Sequence, residues 1–341
     1  MRAARVVRHG APTEAVEVVE IDAPEVGPGL VRITVSAASL NFGDIARCRG
    51  GVASVMAQPP FTLGMDVCGT VESAGEGAEH LVGTRVVAIT QMAMGGIAEL
   101  ALAPAHATFP APPELDDAEA AAFTLPFHVA HLALSRRARI QPGESLLVVG
   151  GASAVGTAAI QLGVAAGANV LASAGGPEKT KLCAELGASA TIDRTSDDLF
   201  DTVMEHTGGN GVDVAFDVVG GDGTEAAWTC MARDGRYLAV GFNDDAQSGL
   251  TGRPLRKVSM GNFSVLGVLL SYNHADPGLR RFGLNPFPPE VGAAVHAELL
   301  ALVTAGSIRP VVGRRIGIDD VGAALEDHEA RRTSGRTVVV L

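Results

Sequence analysis

An α/β chain of two domains, β-rich first and a doubly wound parallel sheet second, is what three features of these 341 residues predict. Short Val/Ile-rich runs separated by Gly and Pro occupy the first 110 residues. From Gln141 onward, strand-length and helix-length segments alternate. The Pro-rich FPAPPELDD (109–117) lies between the two textures and marks the boundary. A hydrophobic content of 47% with 19% charged residues is a globular balance, and the length is enough to fill two cores.

In chain order, AVEVVEI, LVRITVSAA, CGTVESAG and GTRVVAI read as strands of the first domain. AEAAAFTLPFHVAHLALSRRA (118–138) then reads as helical. SLLVVG is the first strand of the second domain. AVGTAAIQLGVAAG follows as a helix with Val155, Ala159, Leu162 and Ala166 on one face. NVLASA is the next strand, PEKTKLCAELG a helix ending on Gly187, and ATIDR a third strand. A helix around DDLFDTVMEHTG precedes the strands VDVAFDVVG and RDGRYLAVGF. NFSVLGVLLSYN (262–273) is a further strand candidate, before the Pro/Gly-rich loop HADPGLRRFGLNPFPPE. The tail GRTVVVL reads as a terminal strand that returns to the first domain. Strands spaced by helices of about a dozen residues imply a parallel sheet.

Several classes of function are excluded. The stretch Ser145 to Pro177 has no charged residue, but Gly150, Gly151, Gly163, Gly167, Gly175 and Gly176 cut it into strand and helix lengths, so it fits a buried βαβ unit better than a membrane span. The net charge of −12 argues against nucleic acid or anionic membranes as partners, since phosphate binding needs concentrated Lys and Arg. Cysteines 48, 68, 183 and 230 stand singly, as expected of reduced thiols in a cytoplasmic protein. MRAARVVRHG lacks the apolar core of a signal peptide.

The stretch VVGGASAVG (148–156) carries the chemistry. An apolar strand leads to a turn from which a helix starts near Ser153 to Val155, with unpaired N–H groups and a partial positive charge facing any anion. In a GxGxxG pattern the positions are Gly151, Ser153 and Gly156, so one glycine is replaced. Gly151, Ala152, Ser153, Ala154 and Val155 are therefore candidates to hold a dinucleotide pyrophosphate, with the Ser153 hydroxyl either donating to phosphate or capping the helix. NAD sites carry an Asp or Glu about 20 residues further on, to accept from the ribose 2′-OH. Here ASAGGPEK (172–179) has no carboxylate before Glu178. Ser173, Gly175 and Lys179, with Arg194 after the third strand, are instead suited to a 2′-phosphate, which points to NADPH.

With these residues placed, the chain resembles the zinc-independent medium-chain dehydrogenase/reductases, in their NADPH:quinone oxidoreductase (zeta-crystallin-like) branch. The resemblance rests on SLNFGD (39–44), PPFTLGMDVCGTV (59–71), GGIAEL (95–100), the turn at 150–156, LGASATID (186–193), FDVVGG (216–221) and DGRYLAVG (234–241). It implies a GroES-like β-rich substrate domain over 1–122 with 307–341, and a Rossmann NADPH-binding domain over 123–306. It also implies a homodimer paired along a Rossmann edge strand near 262–270. Zinc-dependent relatives have Cys near Asn41 and His-Glu where this chain has Met65-Asp66, so no zinc is expected. His128 and His131, three apart on a helix, lack acidic or Cys companions and are not read as metal ligands.

The same resemblance assigns Asn41 to the nicotinamide ribose or a bound substrate oxygen, and closes Gly241, Phe242, Val268 and Leu269 over the nicotinamide. Asn41 and Asp44 are the candidate catalytic residues, with Asp44 also suited to accepting backbone N–H bonds in its loop. Where the family often has Thr before Ala in the boundary helix, this chain has Val129, and the adjacent His128 is placed to compensate. Phe42, His128, Phe263 and Tyr272 are the candidate lining of a substrate pocket. Enoyl-thioester reductases of the superfamily carry a Tyr soon after the NFxD block; this chain has only Tyr237 and Tyr272. Hydride transfer to a quinone or reactive enone is therefore expected over enoyl-thioester reduction. A non-catalytic NADPH-binding protein is the remaining alternative.

Overall fold

Side chains that alternate between core and solvent define the strand Leu30–Ser39, in which Val31, Ile33 and Val35 point inward while Arg32 and Thr34 point out. It pairs antiparallel with Asp66–Ala74, Leu100–Pro104 and Arg336–Val340, so the chain's last strand does close the first sheet. The full path of this seven-stranded sheet runs Val312–Ile316, Arg336–Val340, Leu30–Ser39, Asp66–Ala74, Arg85–Ile89, Thr108–Pro110, with Leu100–Pro104 also on Leu30–Ser39. Three short strands, Val16–Glu20, Arg2–Val6 and Phe61–Thr62, form a second sheet. Their shared core includes Val6, Ile33, Leu40, Leu63, Val67, Ile97 and Leu325. The computed structural model describes residues 1–51, 58–221, 223–241, 256–281 and 283–341.

Backbone contacts divide the chain into two units. One comprises Met1–Leu125, Ser271–Thr304 and Arg309–Leu341; the other comprises Pro126–Leu270 and Ala305–Ile308. The stretch 271–304, expected with the second domain, packs in the first unit for a visible reason. Tyr272 meets Phe109 edge-on with centroids 6.1 Å apart, and His296 of the helix Pro289–Thr304 stacks on Phe109 at 4.7 Å.

The second unit is built on six parallel strands in the order Ala190–Asp193, Asn169–Ala174, Ser145–Val149, Val212–Asp217, Met231–Ala239, Ser264–Gly267. This 3-2-1-4-5-6 order is the doubly wound dinucleotide-binding arrangement. Register aligns the strand ends: Val149 opposes Ser173 and Asp217, and Ala174 opposes Asp193. The turns that follow these residues therefore crowd one carboxyl edge.

Three local readings need correction. The helical stretch 118–138 is broken into Asp117–Ala121 and Thr124–His131, followed by a π-helix over Leu132–Ala138. Pro126 sits in the first turn of the second piece, where its missing N–H costs nothing, and it cannot serve as a helix interior. The helix Ala154–Ala165 is buried continuously from Gly156 to Gly163, not along one face, because it is held in a layer between sheet and neighbouring segments. The strand candidate 262–273 shortens to Ser264–Gly267. The helices Gly223–Thr229, Pro289–Thr304 and Val321–Glu329 were not anticipated. Among the described residues no helix is long and apolar enough to cross a membrane.

Candidate functional site

The turn at 150–156 is tied to the neighbouring strand by main chain. The N–H groups of Gly150 and Gly151 donate to the Ser173 carbonyl at 3.0 and 2.9 Å. Gly150 has φ +82°, a conformation L side chains rarely adopt. A Cβ on Gly156 would lie 2.2 Å from the Gly150 oxygen, so only glycine lets the helix begin this close to the strand end. The Ser153 hydroxyl donates to Gly150 O at 2.7 Å and accepts from Gly156 N at 3.1 Å. Of its two expected roles it takes the capping one, and its proton is committed within the turn. Gly151 and Ala152 are buried, Ala154 and Val155 half-buried, and Ser153 exposed. The N–H groups of Ala154 and Val155 belong to the first helical turn, which no preceding turn can satisfy. This cradle of small residues at a positive helix end fits a dinucleotide pyrophosphate.

Beside it, the end of the second strand carries Ser173, buried, then Gly175, half-buried. The Arg194 guanidinium lies against Gly175, where a Cβ would stand 3.0 Å from Nε and 3.1 Å from Nη2. Lys179 is half-buried on the helix Pro177–Glu185. Of the four candidates for a 2′-phosphate site, Gly175 and Arg194 are in contact, and Ser173 and Lys179 lie within four residues of Gly175 along the chain.

Sequence reasoning did not anticipate Asp217. It is fully buried at the end of Val212–Asp217, and its Oδ1 accepts from Val219 N at 2.8 Å and Gly220 N at 2.9 Å. Its Oδ2 accepts from the Tyr237 hydroxyl at 2.6 Å. The turn so fixed touches both neighbours: a Cβ on Gly150 would meet Val218 and Val219, and one on Gly241 would lie 2.0 Å from Val218 O. Gly241 N donates to Asp217 O at 2.8 Å. The signal available was a carboxylate at a parallel strand's end followed by VVGG. Val268 is half-buried and Leu269 exposed just beyond the edge strand; Phe242 lies outside the described residues.

In the first unit, Asn41 belongs to a buried polar cluster. Its Nδ2 donates to Asp66 Oδ1 at 2.9 Å and Ser39 O at 3.3 Å, and its Oδ1 accepts from Arg336 Nη2 at 2.6 Å. The same Arg336 nitrogen is 3.0 Å from both Asp66 oxygens. Asp44 accepts from Asn41 N at 2.8 Å and from Arg47 Nη1 at 3.3 Å, so it holds the start of the helix Phe42–Arg49. Burial raises the Asp44 carboxyl, against the opposing pull of Arg47. Arg336 and Asp66, absent from the expected site, join it through a strand pairing that brings the chain's end beside Ser39. Phe42 is half exposed, its ring 6.1 Å from that of His328.

Two expected pocket aromatics are core side chains instead. Phe263 packs on Trp228 in the second unit's core, and Tyr272 packs on Phe109 and over Gly292 in the first. His128 is wholly buried. All four cysteines are free and buried, with burial pushing Cys48 and Cys68 up to about 12 and Cys183 and Cys230 to about 11, so none is a thiolate nucleophile near neutrality. Among the described residues no group of three or more His, Cys, Asp or Glu could hold a metal ion.

Comparison with known proteins gives a consistent result. Residues 27–113 match the alcohol dehydrogenase GroES-like domain and residues 154–282 the zinc-binding dehydrogenase family. Rat quinone oxidoreductase is 30% identical over 96% of this chain and 93% of its own length. A phthioceranic/hydroxyphthioceranic acid synthase of Mycobacterium bovis is 32% identical over 73% of this chain, a stretch that is 12% of the synthase. A mycobacterial protein solved in complex with NADPH superposes with a TM-score of 0.86, at 28% identity over the whole of both chains.

Proposed function

We propose, for a chain that belongs to the medium-chain dehydrogenase/reductase superfamily in its quinone oxidoreductase branch, that NADPH is its hydride source and a quinone or reactive enone its acceptor. The observation that carries the cofactor choice is the corner where Arg194 lies against Gly175, at a strand end without a carboxylate. A 2′-phosphate needs such a cation, and a bare ribose needs the acid that is missing.

When bound, the cofactor supplies a hydride from its nicotinamide. The chain's own residues supply binding and orientation. Ala154 and Val155 offer first-turn N–H groups to the pyrophosphate, while Gly151, Ala152 and Ser153 shape the turn that receives it, and Ser173, Lys179 and Arg194 supply the polar contacts to the 2′-phosphate. Asn41 spends both amide protons on Ser39 and Asp66 and one lone pair on Arg336. Its one remaining position is an acceptor, which suits a ribose hydroxyl and not a substrate oxygen. Gly241, Val268 and Leu269 enclose the nicotinamide in this reading. Domain roles follow the family, with substrate contacts in the first unit and cofactor contacts in the second. A second copy would pair along Ser264–Gly267, the sheet's edge, and the protein would work in the cytoplasm.

Neither tyrosine suits proton donation: Tyr237 is bound to Asp217 and Tyr272 is packed in a core. A quinone tolerates that, because its reduced form is a stabilised oxyanion that water can protonate. The similarity to a segment of the acid synthase favours one second reading, reduction of an enoyl thioester. Oxidation of NADPH against a panel of quinones, enones and crotonyl thioesters separates them. Turnover with quinones or enones is expected; turnover with thioesters alone would overturn the acceptor, and binding without turnover on any would overturn catalysis.

A further inference from the structure

Asp193 ends the third strand opposite Ala174, the last residue of the second. Its Oδ1 accepts from Gly176 N at 2.8 Å, from Thr195 N at 2.9 Å and from Thr195 Oγ1 at 2.6 Å. Three donors saturate that oxygen, and they hold the carboxyl below the usual carboxylate range. The residue it grips, Gly176, has φ +89° and ψ 160°, a backbone state essentially confined to glycine. Without a tether, a Gly175–Gly176 pair is the most freely moving kind of dipeptide. The next residue along, Arg194, donates its N–H to Ala174 O at 2.9 Å and lays its guanidinium across Gly175. One side of the corner is thus clamped by Asp193 and the other carries the cation.

We propose that Asp193 determines cofactor specificity as a positioning residue: its carboxylate pins Gly176 so that the Gly175 turn seats the Arg194 guanidinium to receive a 2′-phosphate. The proposal rests on the NADPH reading above. It assigns the Asp193 carboxylate to the clamp, because its Oδ1 is spent on protein donors and is not offered to a ribose hydroxyl. Asp193 also places a negative charge near Arg194, which opposes phosphate binding. That charge is half-exposed to solvent and shared among three donors, so it is screened and the clamp outweighs it.

The test is the ratio of dissociation constants for NADPH and NADH, measured on the full chain by titrating the emission of its single tryptophan, Trp228. Asp193→Ala should weaken NADPH by about tenfold or more, the scale of one charge-assisted contact, and NADH by less than about threefold. Asp193→Asn keeps an acceptor for Gly176 and should retain the ratio. Gly175→Ala, whose methyl would displace the guanidinium, should weaken NADPH selectively without touching Asp193. Equal losses for both cofactors in Asp193→Ala would reduce the residue to a structural role and overturn the proposal. So would an unchanged ratio in Gly175→Ala, which stands if Asp193→Ala fails to fold. A wild-type protein that prefers NADH would overturn the NADPH reading itself, and the ratio before any substitution distinguishes that failure.

Discussion

The turn at 150–156 is made of main chain and small side chains, while the cluster around Asn41 is made of five buried polar and charged groups. The first needs little from the rest of the chain: its hydrogen bonds run to Ser173 and within itself. The second joins Asn41, Asp66 and Arg336, which are 25, 270 and 295 residues apart pairwise. A glycine cradle fails through sterics when a methyl is added. A buried charge cluster fails through desolvation when a partner is lost. The two regions therefore differ in which substitutions they tolerate and in how those substitutions are felt.

Removing a charge from the cluster should have the largest effect. Arg336→Met leaves Asp66 wholly buried without its guanidinium, and should destabilise the protein by about 3–5 kcal/mol. Chemical denaturation checks this; a loss below about 1 kcal/mol would mean that water already reaches Asp66.

Acid should also find the first unit before the second. Burial pushes the His296 imidazole down to about 4, although its Nε2 meets Pro110 O at 2.9 Å. The unfolded chain, with a His near 6.5, binds the extra proton first as pH falls. Stability from this residue is present above about 6.5 and is lost as pH falls through 4, to a total of about 3 kcal/mol. Denaturation midpoints followed from pH 7 to 4 should fall, and His296→Phe should flatten that slope.

In the glycine turn the expected effect is smaller on stability and larger on binding. Gly156→Ala should cost about 1–3 kcal/mol, since the main chain must move to admit the methyl. Its affinity for NADPH should fall by more than tenfold, about 1.4 kcal/mol. An alanine variant with wild-type affinity would show that the helix start does not face the cofactor. Smallest is Tyr237→Phe, which takes one of three donors from Asp217 and should cost about 1 kcal/mol in thermal denaturation.

The same contrast explains what the sequence made legible. The strand–turn–helix at 145–165 was readable because its determinants are local: consecutive apolar residues, two glycines and a small-residue helix. The returning strand Arg336–Val340 was readable from its Val run, but its first residue's role was not, since nothing local says that Arg336 faces Asn41. Asp217 and Tyr237 sit on adjacent parallel strands 20 residues apart, and only the sheet's register brings hydroxyl to carboxylate. Phe263 and Tyr272 were read as pocket aromatics because sequence cannot tell a strand end that faces a cleft from one that faces a core. The Pro-rich loop at 274–290 concealed the long helix that follows it and the unit to which both belong.

Titration of NADPH and NADH into the wild-type protein asks whether the carboxyl edge of the second unit is an NADPH site. NADPH should bind at least about tenfold more tightly, and the difference should collapse when Arg194 loses its charge in Arg194→Gln, since one charge-assisted phosphate contact is worth about that factor. Tighter binding of NADH, or a preference for NADPH that survives Arg194→Gln unchanged, would contradict the account.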